Sequence, residues 1–160
     1  MSDDIIGDIL IREGGATVTN DPHDAGGRTQ YGISERSNPG AWADGRVTEA
    51  EARAIYQKRY IDGPGFDKIP DKQLRTQLID YGVNSGPMVA IMKLQGILQV
   101  TVDGVIGPET LGVLATIHPE DVNNLLVAAR VKMIGQIVVK RPDQLKYLVG
   151  WLNRALEFLI

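Results

Sequence analysis

The chain of 160 residues lacks cysteine, and it also lacks any apolar run of the length that a membrane span requires. The absence of cysteine excludes both a disulfide framework and thiolate chemistry. Without about 20 consecutive apolar residues, the sequence predicts no membrane-spanning helix and no stable membrane insertion. The first residues lack the basic stretch and apolar core of a signal peptide, so we expect synthesis without a cleaved leader.

A strongly basic character is missing as well, since the formal net charge is -3. This charge argues against a nucleic-acid-binding protein with a broadly basic surface, and we expect no nucleic-acid partner. The charges are unevenly distributed: residues 1–27 contain six acids and one base, whereas residues 128–154 contain six bases and one acid. These segments are either two solvated faces or a basic half that helps to hold an anionic polymer.

Length and composition favour one globular domain. A chain of this length buries a sizeable core without staples. Hydrophobic residues make up 43% and charged residues 23% of the chain, which is ordinary for a soluble globular protein. Because no long linker or repeat is visible, we predict a single, mainly α (α+β) domain of 1–160 with a small β-hairpin lobe, and we expect a monomer.

Helical periodicity dominates the sequence. A first helix, capped by Ser2 or Asp3, is expected to end at Gly14-Gly15, and residues 16–33 read as an irregular hairpin. Thr48 and Glu51 stand in capping-box register before the next helix. Further helices are predicted over residues 71–86, from Pro87, from Gly107-Pro108, over about 119–140 and over about 143–158.

One stretch near the N-terminus combines a single glutamate with dense glycine. Five of the 18 glycines lie between Glu13 and Gly32. A glutamate at a helix end suits a general acid, because burial of a carboxyl group favours its protonated form. Asp21 or Asp24 can supply a second, ionised carboxylate, and two carboxylates in contrasting surroundings are what glycosidic bond cleavage requires. Thr29 can hold or aim a water molecule.

Other interpretations of the same stretch stay open. Acids and glycines also occur in Asx-Pro turns for purely local reasons. Asp21, His23 and Asp24 are near enough in sequence for a metal loop, but three ligands in four residues around a proline form a poor cage, so we expect no metal. A Ser-His-Asp hydrolase is not favoured, because the chain has only two histidines and no serine in a nucleophile-elbow context.

The spacing of these residues resembles glycoside hydrolase family 108, the phage-type and secretion-associated muramidases. The family pattern runs E-G-G, then N-D-P-x-D-x-G-G-x-T-x-x-G-I-[ST]. Downstream, "DYGVNSGP", "KLQGILQVTVDGVIGPETL" and "GWLNRA" resemble the family's C-terminal, peptidoglycan-associated segment. The matching positions of the first pattern are Glu13, Gly14, Gly15, Asn20, Asp21, Pro22, Asp24, Gly26, Gly27, Thr29, Gly32, Ile33 and Ser34.

The resemblance implies a lysozyme-like fold with a catalytic lobe at 1–86 and a helical lobe at 87–160. It implies cleavage of the β-1,4 bond between N-acetylmuramic acid and N-acetylglucosamine in a peptidoglycan strand, without a cofactor. The family's catalytic glutamate corresponds to Glu13, with Asp24 or Asp21 as its partner and Thr29 beside them. As an endolysin, the protein is expected to be made in the bacterial cytoplasm and to reach the periplasmic wall through a holin-like pore.

Candidate sugar contacts are less specific. We predict substrate contacts at Tyr31, Tyr81, Asn84 and Ser85, and Trp42 and Trp151 are either stacking surfaces or packing residues. "VTVDGVIGPETL" is interpreted as structural core rather than as a separate binding module. Ala16 and Ile61 replace aromatic residues common in the family, which motivates an alternative, a wall-binding or secretion-assisting protein without hydrolysis.

Overall fold

The computed structural model describes residues 4–20 and 26–160. They pack as two compact units, Met1–Gly63 and Pro64–Ile160. The predicted mainly α class with a small β hairpin is confirmed. The regular elements are α1 (Ile5–Arg12), β1 (Thr29–Gln30), β2 (Ile33–Ser34), α2 (Glu49–Gln57), α3 (Lys72–Ser85), α4 (Pro87–Leu98), α5 (Pro108–Leu114), α6 (Pro119–Lys140) and α7 (Leu148–Leu156). Short 3-10 turns lie at Pro39–Trp42, Phe66–Lys68 and Pro142–Tyr147, and a π turn lies at Lys58–Asp62.

Helix α1 is fixed at its start by Asp4. The Asp4 side chain accepts a hydrogen bond from the backbone N–H of Gly7 at 2.9 Å, which satisfies a donor that a helix start leaves open. The prediction of Ser2 or Asp3 as the cap was therefore wrong by one or two positions. Asp4 also receives two hydrogen bonds from Arg53 of α2, at 2.9 and 2.7 Å, so one side chain both caps α1 and ties it to α2.

Helix α2 begins with the predicted capping box. The backbone N–H of Glu51 donates to the Thr48 hydroxyl at 3.2 Å, and the Glu51 carboxylate accepts from the backbone N–H of Thr48 at 2.8 Å. Both contacts satisfy orphan backbone donors. Ala52 and Tyr56 face the core of the first unit.

The β hairpin is shorter and tighter than the sequence suggested. β1 and β2 pair antiparallel, with Gln30 opposite Ile33, and Thr19 forms a separate antiparallel bridge with Thr29. The connecting residues Tyr31 and Gly32 have φ angles of 53° and 72°. Two positive φ angles in a two-residue loop define a type I′ turn, whose twist matches that of the strands.

The second unit is helical throughout its regular elements. α3 and α4 pack together, and α6 lies against both as well as against α7. The predicted starts at Asp71, Pro87 and Pro108 are confirmed, since Asp71 caps α3 while Pro87 and Pro108 occupy the first turns of α4 and α5. The last predicted helix is divided, because a 3-10 turn occupies 142–147 before α7 starts.

Gln95 organises the predicted Asp103-Gly104 turn. Its amide nitrogen donates to the Asp103 carboxylate at 2.7 Å and to the carbonyl of Val105 at 3.0 Å, while its oxygen accepts from the N–H of Gly104 at 2.8 Å. These bonds lower the pKa of Asp103, together with a bond from the N–H of Val105. These bonds hold the turn to α4, whereas the interpretation of the whole segment as core was wrong for Val102 and Val105, which are 47% and 59% exposed.

Helix α6 is long and apolar enough to cross a membrane when judged by length and composition alone, a feature that the search for apolar runs did not predict. Its inner face packs against the other helices of the second unit, and a core helix passes the same test. The face includes Leu126, Val127 and Ile134. The packing therefore accounts for part of its apolar composition, since 33% of the apolar window is buried.

Candidate active site

Glu13 is the C-cap residue of α1, directly after its last residue, Arg12. The two glycines that follow Glu13 terminate the helix. The N–H of Gly15 donates to the carbonyl of Leu10 at 2.9 Å, and the N–H of Gly14 donates to that of Ile11 at 3.3 Å. This pair of bonds is a Schellman motif. Gly14 and Gly15 have φ angles of 98° and 58°, which side-chain-bearing residues adopt at a cost. The Glu-Gly-Gly sequence thus terminates the helix and places Glu13 at its C-terminal end.

The hairpin turn packs directly against Glu13. The N–H of Tyr31 donates to the carbonyl of Gly15 at 3.0 Å, which joins the turn to the loop after α1. A Cβ atom at Gly32 would lie 3.0 Å from Cβ of Glu13 and 2.7 Å from the hydroxyl of Tyr56. Only a residue without a side chain lets the turn approach this closely.

Tyr56 of α2 fixes the turn from the other side. Its ring is buried, with 5% of its surface exposed, and its hydroxyl donates to the carbonyl of Tyr31 at 3.1 Å. The helix α2 is therefore bonded to the turn that touches Glu13. Glu13 itself is half-buried.

Gln30 clamps the same region from inside. Its amide nitrogen donates to the carbonyl of Ala16 at 2.9 Å, and its oxygen accepts from the N–H of Val47 at 2.9 Å. The side chain thus holds the loop after α1, strand β1 and the segment before α2 together. Because Val47 is 1% exposed, its N–H would lack a partner away from water without Gln30, so this glutamine is costly to replace.

The predicted catalytic residues divide into those that the structure describes and those outside it. Thr29 lies on β1, with its backbone paired to Thr19 and its hydroxyl 3.5 Å from the carbonyl of Gly27. Thr29 and Glu13 belong to the same compact unit. Asp21 and Asp24 lie outside the described residues, so their roles and the choice between them stay predictions.

The predicted sugar contacts have different surroundings. Tyr31 is half-buried at the hairpin turn. Tyr81 is fully buried in the second unit, where its hydroxyl contacts the sulfur of Met133 at 3.3 Å, so it offers no surface to a sugar and that prediction was wrong. Asn84 is exposed and Ser85 half-buried at the end of α3, and their roles stay predictions.

Trp42 serves packing rather than stacking on a substrate. It is 4% exposed, and its indole nitrogen donates to the carbonyl of Ile33 at 3.2 Å. The guanidinium of Arg28 lies 4.9 Å above its ring and makes two hydrogen bonds to Glu35, at 2.9 and 2.7 Å. Arg28 thereby lowers the pKa of Glu35, which favours the ionised form of this second carboxylate near the hairpin.

Metal chemistry finds no support in the described parts of the chain. No group of three or more histidine, aspartate or glutamate side chains there could hold a metal ion. The only metal loop considered from the sequence involves Asp21, His23 and Asp24, which lie outside those parts.

The sequence did not single out Gln30 and Tyr56. A buried amide beside a two-residue turn is a signal for a backbone clamp, since a polar side chain is buried only when its hydrogen bonds are satisfied. Helical spacing places Tyr56 on the buried face of α2, but it is the hydroxyl of Tyr56, which donates to the carbonyl of Tyr31, that ties α2 to the turn. Gln30 bonds to the loop after α1 and Tyr56 bonds to the hairpin turn, and both of these segments lie next to Glu13.

Comparison with known proteins supports a class for this arrangement. The fold is mainly α and lysozyme-like, and the chain is related to glycosidases that act on peptidoglycan. The model of the family "Glycosyl hydrolase 108" matches residues 6–86, and that of a "Predicted Peptidoglycan domain" matches residues 89–156. The chain belongs to the glycosyl hydrolase 108 family, as the sequence pattern predicted.

A solved structure extends the likeness over nearly the whole chain. The structure of SagA from Brucella abortus is similar at 27% identity and a TM-score of 0.67, over 97% of this chain and 93% of that chain. No curated protein matches the chain. The lobes predicted at 1–86 and 87–160 stay a prediction.

Proposed function

We propose that the protein is an N-acetylmuramidase that cleaves the β-1,4 bond between N-acetylmuramic acid and N-acetylglucosamine in peptidoglycan. Membership of a glycoside hydrolase family supports the reaction class, and the match to a peptidoglycan domain supports the polymer. The observation that carries the proposal is the position of Glu13, half-buried at the end of α1 and packed against the hairpin turn.

In the proposed mechanism, Glu13 protonates the oxygen of the glycosidic bond as it breaks. Asp24 or Asp21 stabilises the positive charge that develops on the sugar or activates the attacking water. Thr29 positions that water. The separation of the two carboxyl groups decides whether the anomeric configuration is retained or inverted. All three steps use side chains alone, so the proposal requires no cofactor.

Digestion of purified peptidoglycan by the wild type and by Glu13→Gln tests the proposal. We expect the wild type to release fragments with reducing N-acetylmuramic acid ends, identified by mass spectrometry. Replacing a general acid lowers the rate by roughly 10²–10⁴-fold. Glu120→Gln makes the same chemical change on an exposed turn of α6 and should digest at the wild-type rate.

Other outcomes are equally informative. Equal digestion by the wild type and Glu13→Gln would remove Glu13 from the mechanism, and fragments with other reducing ends would assign a different bond. Binding of peptidoglycan without digestion by either protein would support the alternative, a wall-binding or secretion-assisting protein. Ile61, which replaces a family aromatic residue, is 8% exposed and so offers little surface to a sugar in that alternative.

The endolysin role and its route are part of the same proposal. We propose synthesis in the bacterial cytoplasm and access to the periplasmic wall through a holin-like pore. This part rests on the likeness to phage-type muramidases. Expression in a bacterial host with and without a co-produced holin tests it, with the optical density as the measure of lysis. Lysis without the holin would contradict the route.

A further inference from the structure

The basic side chains of residues 128–154 divide into a buried group and an exposed group. Arg130 and Arg154 turn inward and bond to Asp80, at 2.9 and 3.0 Å. Burial lowers the pKa of Arg130 and the Asp80 carboxylate opposes this effect. Of the exposed cations in this region, Lys132 lies within α6, whereas Lys140, Arg141 and Lys146 lie at the end of α6 and in the 3-10 turn that follows.

Large apolar side chains are exposed in the same short segment. The exposed fractions are 81% for Val139, 59% for Leu145, 47% for Tyr147 and 68% for Val149. Single exposed apolar residues are ordinary, whereas contiguous groups of exposed apolar side chains are typical of interaction sites. We define the basic-apolar surface as Val139, Lys140, Leu145, Lys146, Tyr147 and Val149.

The ring of Tyr147 has two neighbouring side chains on this surface. Its centroid lies 5.6 Å from that of Trp151 on α7, and the ammonium of Lys146 lies 4.9 Å from it. An aromatic ring that is already ordered loses little conformational freedom when a ligand covers it. Tyrosine also offers a polar group beside its apolar face.

We propose that the basic-apolar surface binds peptidoglycan through its stem peptides and amino sugars. This inference rests on the proposed function for the identity of the polymer. Stem peptides carry free carboxylates and alanine methyl groups, and the sugars carry acetyl methyl groups. Lysine ammonium groups pair with the carboxylates, while the aliphatic side chains and the tyrosine ring cover the methyl groups and sugar faces.

Two observations favour this occupant. The surface lies within residues 89–156, which match the model of a peptidoglycan domain. Its sign of charge is opposite to that of the stem-peptide carboxylates and to the net charge of the chain, which is -3. None of its residues belongs to the compact unit that contains Glu13.

Retention on insoluble peptidoglycan tests the proposal. The assay uses Glu13→Gln throughout, so that digestion does not remove the matrix during sedimentation. Adding Lys140→Glu with Lys146→Glu should weaken retention at least about tenfold, and the residual binding should depend less on salt. Tyr147→Ala should weaken retention with little change in the salt dependence.

Matched controls separate this surface from general effects. Lys93→Glu makes the same charge reversal on exposed α4, and Leu125→Ala truncates an apolar side chain that is 55% exposed on α6. Both should retain the binding of Glu13→Gln. Because the substituted residues are exposed, circular dichroism and thermal unfolding should show an unchanged fold for every variant.

Equal retention of the surface variants and the controls would overturn the proposal. So would a loss that appears with vesicles of phosphatidylglycerol and phosphatidylcholine but not with peptidoglycan, since the surface would then dock on a membrane. The muramidase proposal is tested separately by the released fragments. If no muramidase fragments are released but the surface variants lose retention, the surface assignment stands without the muramidase proposal. If the fragments are released but the surface variants are retained like the controls, only the surface assignment is overturned.

Discussion

At the scale of a single residue, Gly32 determines how closely the hairpin turn packs against the candidate acid, Glu13. It combines a φ angle of 72° with a missing side chain whose place is occupied by Tyr56 and Glu13. The first property permits the type I′ turn, and the second lets the turn contact Glu13. A change at this position therefore acts on both the backbone and the site.

We predict that Gly32→Ala destabilises the protein more than Gly45→Ala. Gly45 has a φ angle of 85°, but a Cβ atom there would meet nothing within 4 Å, so it carries only the left-handed backbone cost of about 1 kcal/mol. At Gly32 the collision with Tyr56 and Glu13 adds about 1–2 kcal/mol. Urea unfolding of both variants measures the difference, and equal losses would show that the turn relaxes freely.

Residue roles followed from the sequence where they depend on local chemistry. The Glu-Gly-Gly helix stop and the Thr48–Glu51 capping box depend on neighbours a few positions away, and the structure confirms both. Tyr81 failed as a predicted sugar contact because it is buried in the second unit, where its hydroxyl contacts Met133, 52 positions later in the chain. Long-range packing of this kind leaves no signature in a helical repeat.

At the scale of elements, α1 is held at both ends. Gly14 and Gly15 fix its end at Glu13, and Asp4 fixes its start by bonding Gly7 and Arg53. The hydrogen bond from Arg53 is the main reason that the pKa of Asp4 is lowered from 3.8 to about 2, and the bond from Gly7 adds to it. The helix that ends at the candidate acid is thus anchored to α2 by a charge.

This anchor predicts a stability difference that depends on pH. Because the folded-state pKa of Asp4 is about 2 and the ordinary value is 3.8, the ionised group stabilises the fold above pH 3.8. That contribution is lost as the pH falls toward 2. Asp4→Asn keeps a capping oxygen without the charge. The wild type should therefore exceed this variant in its free energy of unfolding at pH 5, and the excess should be lost as the pH falls through about 2, the folded-state pKa of Asp4.

Arg53→Gln provides the control for the same experiment. In this background the charge of Asp4 loses its main partner, so the effect of Asp4→Asn should depend only weakly on pH. Chemical unfolding at several pH values and low salt measures all four proteins, since salt screens an exposed pair. If the effect of Asp4→Asn on stability depends on pH in the same way with and without Arg53, then Arg53 is not the cause of the lowered pKa of Asp4.

The hairpin shows why element boundaries were harder to predict than helices. Residues 16–33 were expected to form it, whereas the paired strands are Thr29–Gln30 and Ile33–Ser34. Strands of two residues have too little alternation for a periodic signal. Their position is set by the Gln30 clamp to Ala16 and Val47, which depends on burial rather than on a local pattern.

At the scale of the whole molecule, each compact unit has a polar group in its interior that joins distant segments. In the first unit this group is Gln30, and in the second it is Asp80, which is 1% exposed and bonds both Arg130 and Arg154. The sequence indicated an excess of basic residues near the C-terminus but gave no sign that two of them share a buried carboxylate. A count of charged residues does not show which of their side chains point into the interior and which point to the surface.

The last prediction concerns this buried cluster. Asp80→Asn removes the only carboxylate with a described bond to Arg130, which is 2% exposed. Breaking a buried pair in this way leaves an uncompensated charge and costs about 3–5 kcal/mol. Urea unfolding should show this loss, whereas Asp143→Asn, at an exposed pair with Arg141 of 3.7 Å, should change stability little. A similar small effect for both variants would mean that water reaches Arg130 and compensates its charge.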